Sequence, residues 1–259
     1  NHTTGNGNAA NGQNTLFSMR TGAQNTVMGS QAMRSNVIGS GNTAIGREAL
    51  RDSTSIVATL GAITPGSGYT DGFYSAVSLL PNNQSWWIQP TVDITVAGGV
   101  VTVITPVNLG IGMVVGATLV IDTATAPAGL LTGSGFSIPI ATVTSGIQNT
   151  ALGFKAGQNN QTGSRNLFLG YNAGINETGD DNLYISNSTT STPLIKGKFD
   201  SAGGNNGSVR IYGDLQLTTK TPATSGSTGT QGTIAWDADY IYICTATDTW
   251  KRVAIGGTW

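Results

Sequence analysis

Short apolar pairs recur along this chain, each opened by an asparagine and most closed by a glycine. They are Asn14-Thr15-Leu16-Phe17, Asn25-Thr26-Val27-Met28-Gly29, Asn36-Val37-Ile38-Gly39, Asn42-Thr43-Ala44-Ile45-Gly46, Asn149-Thr150-Ala151-Leu152-Gly153, Asn166-Leu167-Phe168-Leu169-Gly170 and Asn182-Leu183-Tyr184-Ile185. Gly29 to Gly46 is 17 residues, Gly153 to Gly170 is 17, and Leu169 to Ile185 is 16. A fixed period with turn residues between short apolar pairs predicts a solenoid, each coil stacked on the next. Glycine ends each strand early, and the near absence of proline suits ladder pairing.

The apolar residues are neighbours in sequence, and successive residues of a strand point to opposite faces. Ala151 and Leu152 therefore cannot both enter one coil: one fills it and the other faces outward. Strands apolar on both faces are usually buried on both. The pattern predicts that identical chains associate about the outer stripe, with threefold closure, through Ile38, Ile45, Leu152, Leu169 and Ile185. The alternative is a single chain whose second stripe is covered by its own inserted segment.

That insertion shows as a break in the period. Asn42 finds its next equivalent, Asn149, 107 residues on. The intervening stretch reads as β: Val92, Ile94 and Val96 alternate with polar residues, Gly98-Gly99 supplies a hairpin turn, and "VVTVIT" pairs back. A segment whose ends rejoin adjacent coils projects sideways, as insertions in repeat proteins do. Within it, "PNNQSWWIQP" sets Trp86 and Trp87 among Asn83, Gln84 and Gln89. Aromatic faces flanked by amides suit stacking on sugar rings, so these five residues are the receptor-binding candidates. The competing reading has one indole in the small core and the other against a neighbouring subunit.

Composition narrows the function classes. Charged residues are only 10% of the chain, the net charge is −1, and 37 of 259 residues are glycine, about twice the average share. Val, Ile and Thr are plentiful, which argues for a folded β protein over disorder. No basic footprint points to nucleic acid, and no apolar run is long enough for membrane insertion. Cys244 is the single cysteine and reads as a small buried hydrophobe. His2 is the single histidine, so neither a Ser-His-Asp triad nor a histidine-based metal site can be assembled. Asp237 with Asp239, and Asp180 with Asp181, read as turn chemistry, with a weak Ca²⁺ site as the alternative. No catalytic residue, cofactor or metal is expected, and the chain is read as non-enzymatic. It opens at Asn1-His2 inside a phrase of the repeated kind and is expected to continue a longer polypeptide.

The Asn-Thr-Ala-Ile-Gly phrases resemble the head repeats of trimeric autotransporter adhesins, which form a parallel β-roll wound as a trimer. The stretch 166–197, with Asn182-Leu183-Tyr184-Ile185 and Pro193-Leu194-Ile195-Lys196-Gly197, is similar to repeats of bacteriophage tail fibres. The ending "GTIAWDADYIYICTATDTWKRVAI" resembles a module that closes phage fibre proteins, and is read as three strands with Trp236 and Trp250 as trimer-packing anchors. The resemblance implies an all-β homotrimeric virion fibre, outside the cell. It would contact other virion proteins and a bacterial surface glycan. Alternatives are a purely structural capsid head fibre, neck appendage or decoration protein, and a bacterial trimeric adhesin. The expected organisation is β-roll repeats over 1–50, a lateral β domain over 51–146, further repeats over 147–192, an extended β or linker region over 193–231, and a C-terminal β cap over 232–259.

Overall fold

The computed structural model describes residues 5–81, 88–200 and 206–256. Among these the chain is all-β, with one 3-10 turn at Ala128–Leu130. It divides into two units, one ending at Tyr212 and one beginning at Gly213.

In the first unit, strands β1 (Ala9–Asn11), β2 (Thr26–Met28) and β3 (Thr43–Ile45) stack in parallel. The chain then builds a separate seven-stranded sheet from β4 (Ile56–Leu60), β5 (Thr64–Ser67), β6 (Gly72–Pro81), β7 (Thr91–Ala97), β8 (Val100–Asn108), β9 (Thr118–Ile121) and β10 (Ser134–Thr144). It returns to the stack with β11 (Thr150–Leu152), β12 (Leu167–Leu169) and β13 (Asn182–Ile185), and β11 pairs directly with β3. Two antiparallel strands, β14 (Ile195–Lys198) and β15 (Ser208–Ile211), end the eight-stranded sheet.

Two phrases counted among the repeats are not strands. Residues 14–17 and 36–39 lie in the turning half of a coil. Leu16 has φ 50°, and the Asn36 side chain accepts from the Gly39 N–H at 2.8 Å, closing a turn. The sequence motif is shared, but local hydrogen bonding competes with the ladder.

What holds coil to coil is the asparagine of the true repeats. Asn42 donates from its backbone N (3.0 Å) and Nδ2 (3.2 Å) to Asn25 Oδ1. Asn149 does the same to Asn42 (2.9 and 3.2 Å), and Asn166 to Asn149 (3.0 and 3.1 Å). The second Nδ2 proton reaches a glycine carbonyl on the other side: Asn25 to Gly39, Asn149 to Gly163 and Asn166 to Gly179, each at 2.9 Å. All these asparagines are buried; each spends both Nδ2 donors, and Oδ1 of Asn25, Asn42 and Asn149 accepts twice. The step from Asn42 to Asn149 has the same geometry as the others although the two lie 107 residues apart.

The glycines closing each strand form a second column. Gly29, Gly46, Gly153 and Gly170 have φ between 110° and 138°. A Cβ on Gly29 would sit 2.6 Å from the Gly46 carbonyl carbon, so both conformation and coil spacing demand glycine.

The coil interior is filled by a changing division of volume. The inner strand residues Val27, Ala44, Ala151, Phe168 and Tyr184 lie in register. Where they are small, Leu16, Met33 and Leu50 fill the space, all buried. Where Phe168 enters, the equivalent positions are Gly157 and Gly174, and a Cβ on Gly157 would lie 2.5 Å from Phe168 Cδ2. Interiors are close-packed, so a large ring requires small partners.

The second sheet has its own core of Val77, Leu79, Val92, Ile94, Leu119, Phe136, Ile138 and others. Its β7–β8 hairpin turns on Gly98 and Gly99 with φ 64° and 75°, the two-residue turn that twisted strands favour.

In the second unit, β16 (Ile234–Trp236), β17 (Tyr240–Ala246) and β18 (Thr249–Ala254) form an antiparallel meander. One face buries Ala235, Tyr242, Cys244 and Trp250. Residues 218–232 run along it: Trp250 N donates to Ser225 O, Gly232 N to Cys244 O, and the Trp250 indole to Ser227 O at 2.9 Å.

Two outcomes follow. Replacing Asn149 with Ala strips partners from Asn42 Oδ1, the Asn166 amide and Gly163 O, and is expected to lower the unfolding free energy by about 3 kcal/mol or more, read by urea denaturation. Phe168→Ala opens a hole lined by two glycines and is expected to cost about 3–5 kcal/mol in the same assay.

Candidate functional site

Two surfaces carry the functional argument, and both follow from the two-residue alternation of one sheet. The first is the outward column of the roll. Met28, Ile45, Leu152, Leu169, Ile185, Ile195 and Ile211 are successive cross-strand partners. None is buried; Met28 is 52% and Leu152 49% exposed. Of the residues expected to pack between chains, Ile45, Leu152, Leu169 and Ile185 stand in this column. Ile38 does not: it is half-buried in a coil corner.

The second surface is the opposite face of β13–β15. Along the roll this face is the coil interior, ending in Phe168 and Tyr184. Beyond Tyr184 the chain no longer wraps a coil over it, and its side chains become polar. Tyr184 pairs with Lys196 and Lys196 with Arg210, while Asn182 pairs with Lys198 and Lys198 with Ser208. Asn182, Lys196, Gly197, Lys198, Ser208, Arg210 and Tyr212 line a cavity of about 230 Å³. On the outer side the same strands present Ile185, Ile195, Val209 and Ile211, with Val209 68% exposed.

The inner end of this face holds a small charge relay. The Tyr184 hydroxyl donates to Glu177 Oε2 at 2.7 Å, and Lys196 Nζ lies 4.8 Å from the Tyr184 ring centre. Burial is the largest single influence on Glu177 and pushes its carboxyl up. The Tyr184 hydroxyl, the Gly179 N–H and Lys196 together outweigh it and hold it below the usual carboxylate range. The Tyr184 hydroxyl, and with it Glu177, keeps Lys196 above its ordinary value.

Other expected residues are placed as follows. Asn83, Gln84, Trp86 and Trp87 lie outside the described residues. Gln89 donates to Asp122 Oδ2 at 3.0 Å, the first of the bonds that hold the Asp122 carboxyl low. Asp181 and Asp180 face Arg165, at 2.6 and 3.7 Å. Trp250 is buried in its own unit. Trp236 is partly exposed, its indole donating to Leu217 O at 2.6 Å. It stands with Leu215, Leu217, Ile234, Ile241 and Ile255 around an apolar cavity of about 610 Å³. Cys244 is fully buried.

Two features escaped the sequence reading. The recurring asparagine was seen as a repeat mark and not as a ladder, although its strict place before each strand was the available signal. The basic groove was missed because its cations sit on two strands, and only the register brings Lys196 opposite Arg210.

No family model matches the chain, and no solved structure matches it. A capsule K30/K69-specific depolymerase of Klebsiella phage K64-1 is 51% identical over 45 residues, which is 17% of this chain and 6% of that protein. With the all-β solenoid, this fits a phage tail fibre-like protein. It also corrects one expectation. The chain was read as non-enzymatic because no carboxylate cluster or usable histidine appears, yet the relative is an enzyme. The shared stretch is a small part of a far larger protein, so a census of acids within 259 residues is no test of such a reaction.

In the second unit, Asp237 accepts from the Tyr242 hydroxyl at 2.6 Å, from the Asp239 and Tyr240 amides, and from Thr221. The Tyr242 bond first, then the others, lowers its pKa to about 2 from an ordinary 3.8. A folded value below the unfolded one means the contribution is complete above about 3.8 and lost as the pH falls through about 2. The indole N–H resonances of Trp236 and Trp250, followed by NMR on heating, are expected to collapse to their unfolded positions at lower temperature at pH 2 than at pH 5. Tyr242→Phe is expected to shrink that difference.

Proposed function

We propose that this chain is a stretch of a bacteriophage virion fibre that associates as a homotrimer and contacts a bacterial surface polysaccharide. The observation that carries the reading is the outer apolar column. Seven successive strands place an apolar side chain on the outward face. The other face turns polar as soon as no coil covers it. A sheet adjusted to water on its uncovered inner face, yet apolar on its outer face, is suited to having that outer face covered by other chains. Identical patches close about an axis, and three coils around one axis make a stiff rod.

In this reading the β4–β10 sheet stands off the rod as a lateral domain, and the β16–β18 unit lays its apolar face, with Trp236, against its copies. Weak contacts multiply through three copies of each surface. The phage relative, a capsule depolymerase, favours a second reading, in which the chain belongs to a protein that degrades capsule.

Sedimentation of the purified chain is expected to give three times the single-chain mass. Leu152→Glu combined with Leu169→Glu is expected to give single chains with an unchanged far-UV spectrum, because both side chains point out of the coil. A wild-type chain that stays monomeric at micromolar concentration overturns the association. Reducing ends released from capsule by the full-length protein would support the second reading.

A further inference from the structure

We propose that the groove between β13, β14 and β15 binds an oxyanion carried on a sugar unit of a polysaccharide. Lys196, Lys198 and Arg210 supply the charge. The source of the anion rests on the fibre reading above; the anion site itself does not.

The first argument is register. Lys196 and Arg210 are direct cross-strand partners on one face, and like charges so placed repel. Along the roll, Arg47, Arg51, Lys155 and Arg165 each meet a carboxylate within 4 Å. Among the described residues, none of the three groove cations has a carboxylate that close. In a chain with only 12 Lys and Arg, gathering three in one concavity, with Glu177 acting on Lys196 only from beyond ion-pair distance, is a costly arrangement that an anion would relieve.

The second argument is the orientation of the cations. The Lys198 ammonium is held by the Asp180 carbonyl. The Lys196 ammonium is braced over the Tyr184 ring. Arg210 spends one donor on the Tyr212 hydroxyl at 3.3 Å, and its remaining fork is suited to bidentate contact with a carboxylate or phosphate.

The third argument is the wall. Asn182, Ser208 and Tyr212 bring an amide, a hydroxyl and an exposed ring to the same cavity. Its volume of about 230 Å³ is smaller than that of sites taking drug-sized ligands, which suits a single sugar ring. Amides and hydroxyls answer sugar hydroxyls, and aromatic faces stack on sugar carbons.

The test is calorimetric titration of the intact chain with a glucuronate-bearing oligosaccharide and with its neutral glucose counterpart. The acidic ligand is expected to bind and the neutral one to bind at least about tenfold more weakly, the worth of one charged hydrogen bond. Arg210→Gln and Lys198→Gln are each expected to lose about tenfold for the acidic ligand, with unchanged melting, since both side chains are exposed. Lys220→Gln, a cation of the other unit, is expected to change nothing. Displacement by inorganic phosphate would make the recognised group a phosphate-type anion; its failure to displace would make it a carboxylate. Equal binding of the acidic and neutral ligands, no binding by the folded chain, or unchanged binding by Arg210→Gln overturns the proposal. Sedimentation of the same samples separates this result from the fate of the trimer.

Discussion

The fold depends on one buried amide in each coil. An asparagine between a left-handed turn and a three-residue strand reaches both neighbouring coils: Nδ2 and the backbone N–H bond the coil behind, and the second Nδ2 proton bonds the glycine carbonyl ahead. Aspartate lacks the donors and would bury a charge; serine has one donor where two are needed; glutamine is a methylene too long. The ladder therefore selects its residue by valence and length. Each link is modest alone, but Asn25, Asn42 and Asn149 have every donor and lone pair used, and a satisfied buried network specifies a unique register. That explains how the roll absorbs an excursion of a whole second sheet. Asn42 and Asn149 close on each other as neighbouring coils do, so β11 lands on β3 without a slip that would turn its apolar residues to the wrong face.

Within that frame the core exchanges volume between strand and turn. A left-handed residue in the turn carries Leu16, Met33 or Leu50 inward at φ 46° to 50°, a strained conformation for such side chains. Their burial against small strand residues offsets the strain. At Phe168 the division reverses, and glycine takes the left-handed positions at 157 and 174. The widening inner residues, Ala151 to Phe168 to Tyr184, mark the approach to the end of the roll. There Tyr184 is still buried, and its hydroxyl reaches Glu177.

Much of this was legible in residues. The 17-residue period, the inward–outward split of neighbouring apolar residues, the Gly98-Gly99 hairpin and the three C-terminal strands follow from spacing and alternation alone. The phrases at 14–17 and 36–39 misled, because asparagine before two apolar residues suits a strand and a turn equally, and only the partner distinguishes them. Asn36 bonds its own Gly39, while Asn42 bonds another coil. The exclusion of catalysis failed for another reason: it treated a local inventory as a property of the whole. The basic groove was hidden because charge proximity here comes from the β14–β15 register, which sequence spacing does not reveal.

The two faces of the last strands divide what each can do. Period-two alternation forces every residue of β13–β15 to one side or the other, so the chemistry of one side is free of the other. Outward, Leu183, Ile185, Ile195, Val209 and Ile211 extend the stripe of the roll past its last coil. Inward, Lys196, Lys198 and Arg210 occupy the face that Phe168 and Tyr184 fill on β12 and β13. A change from apolar to cationic on one face only, with the other unchanged, is not the signature of a sheet merely fraying into solvent, which would turn polar on both. In the fibre reading proposed above, the outer side keeps a protein neighbour and the inner side meets a charged, hydrated one.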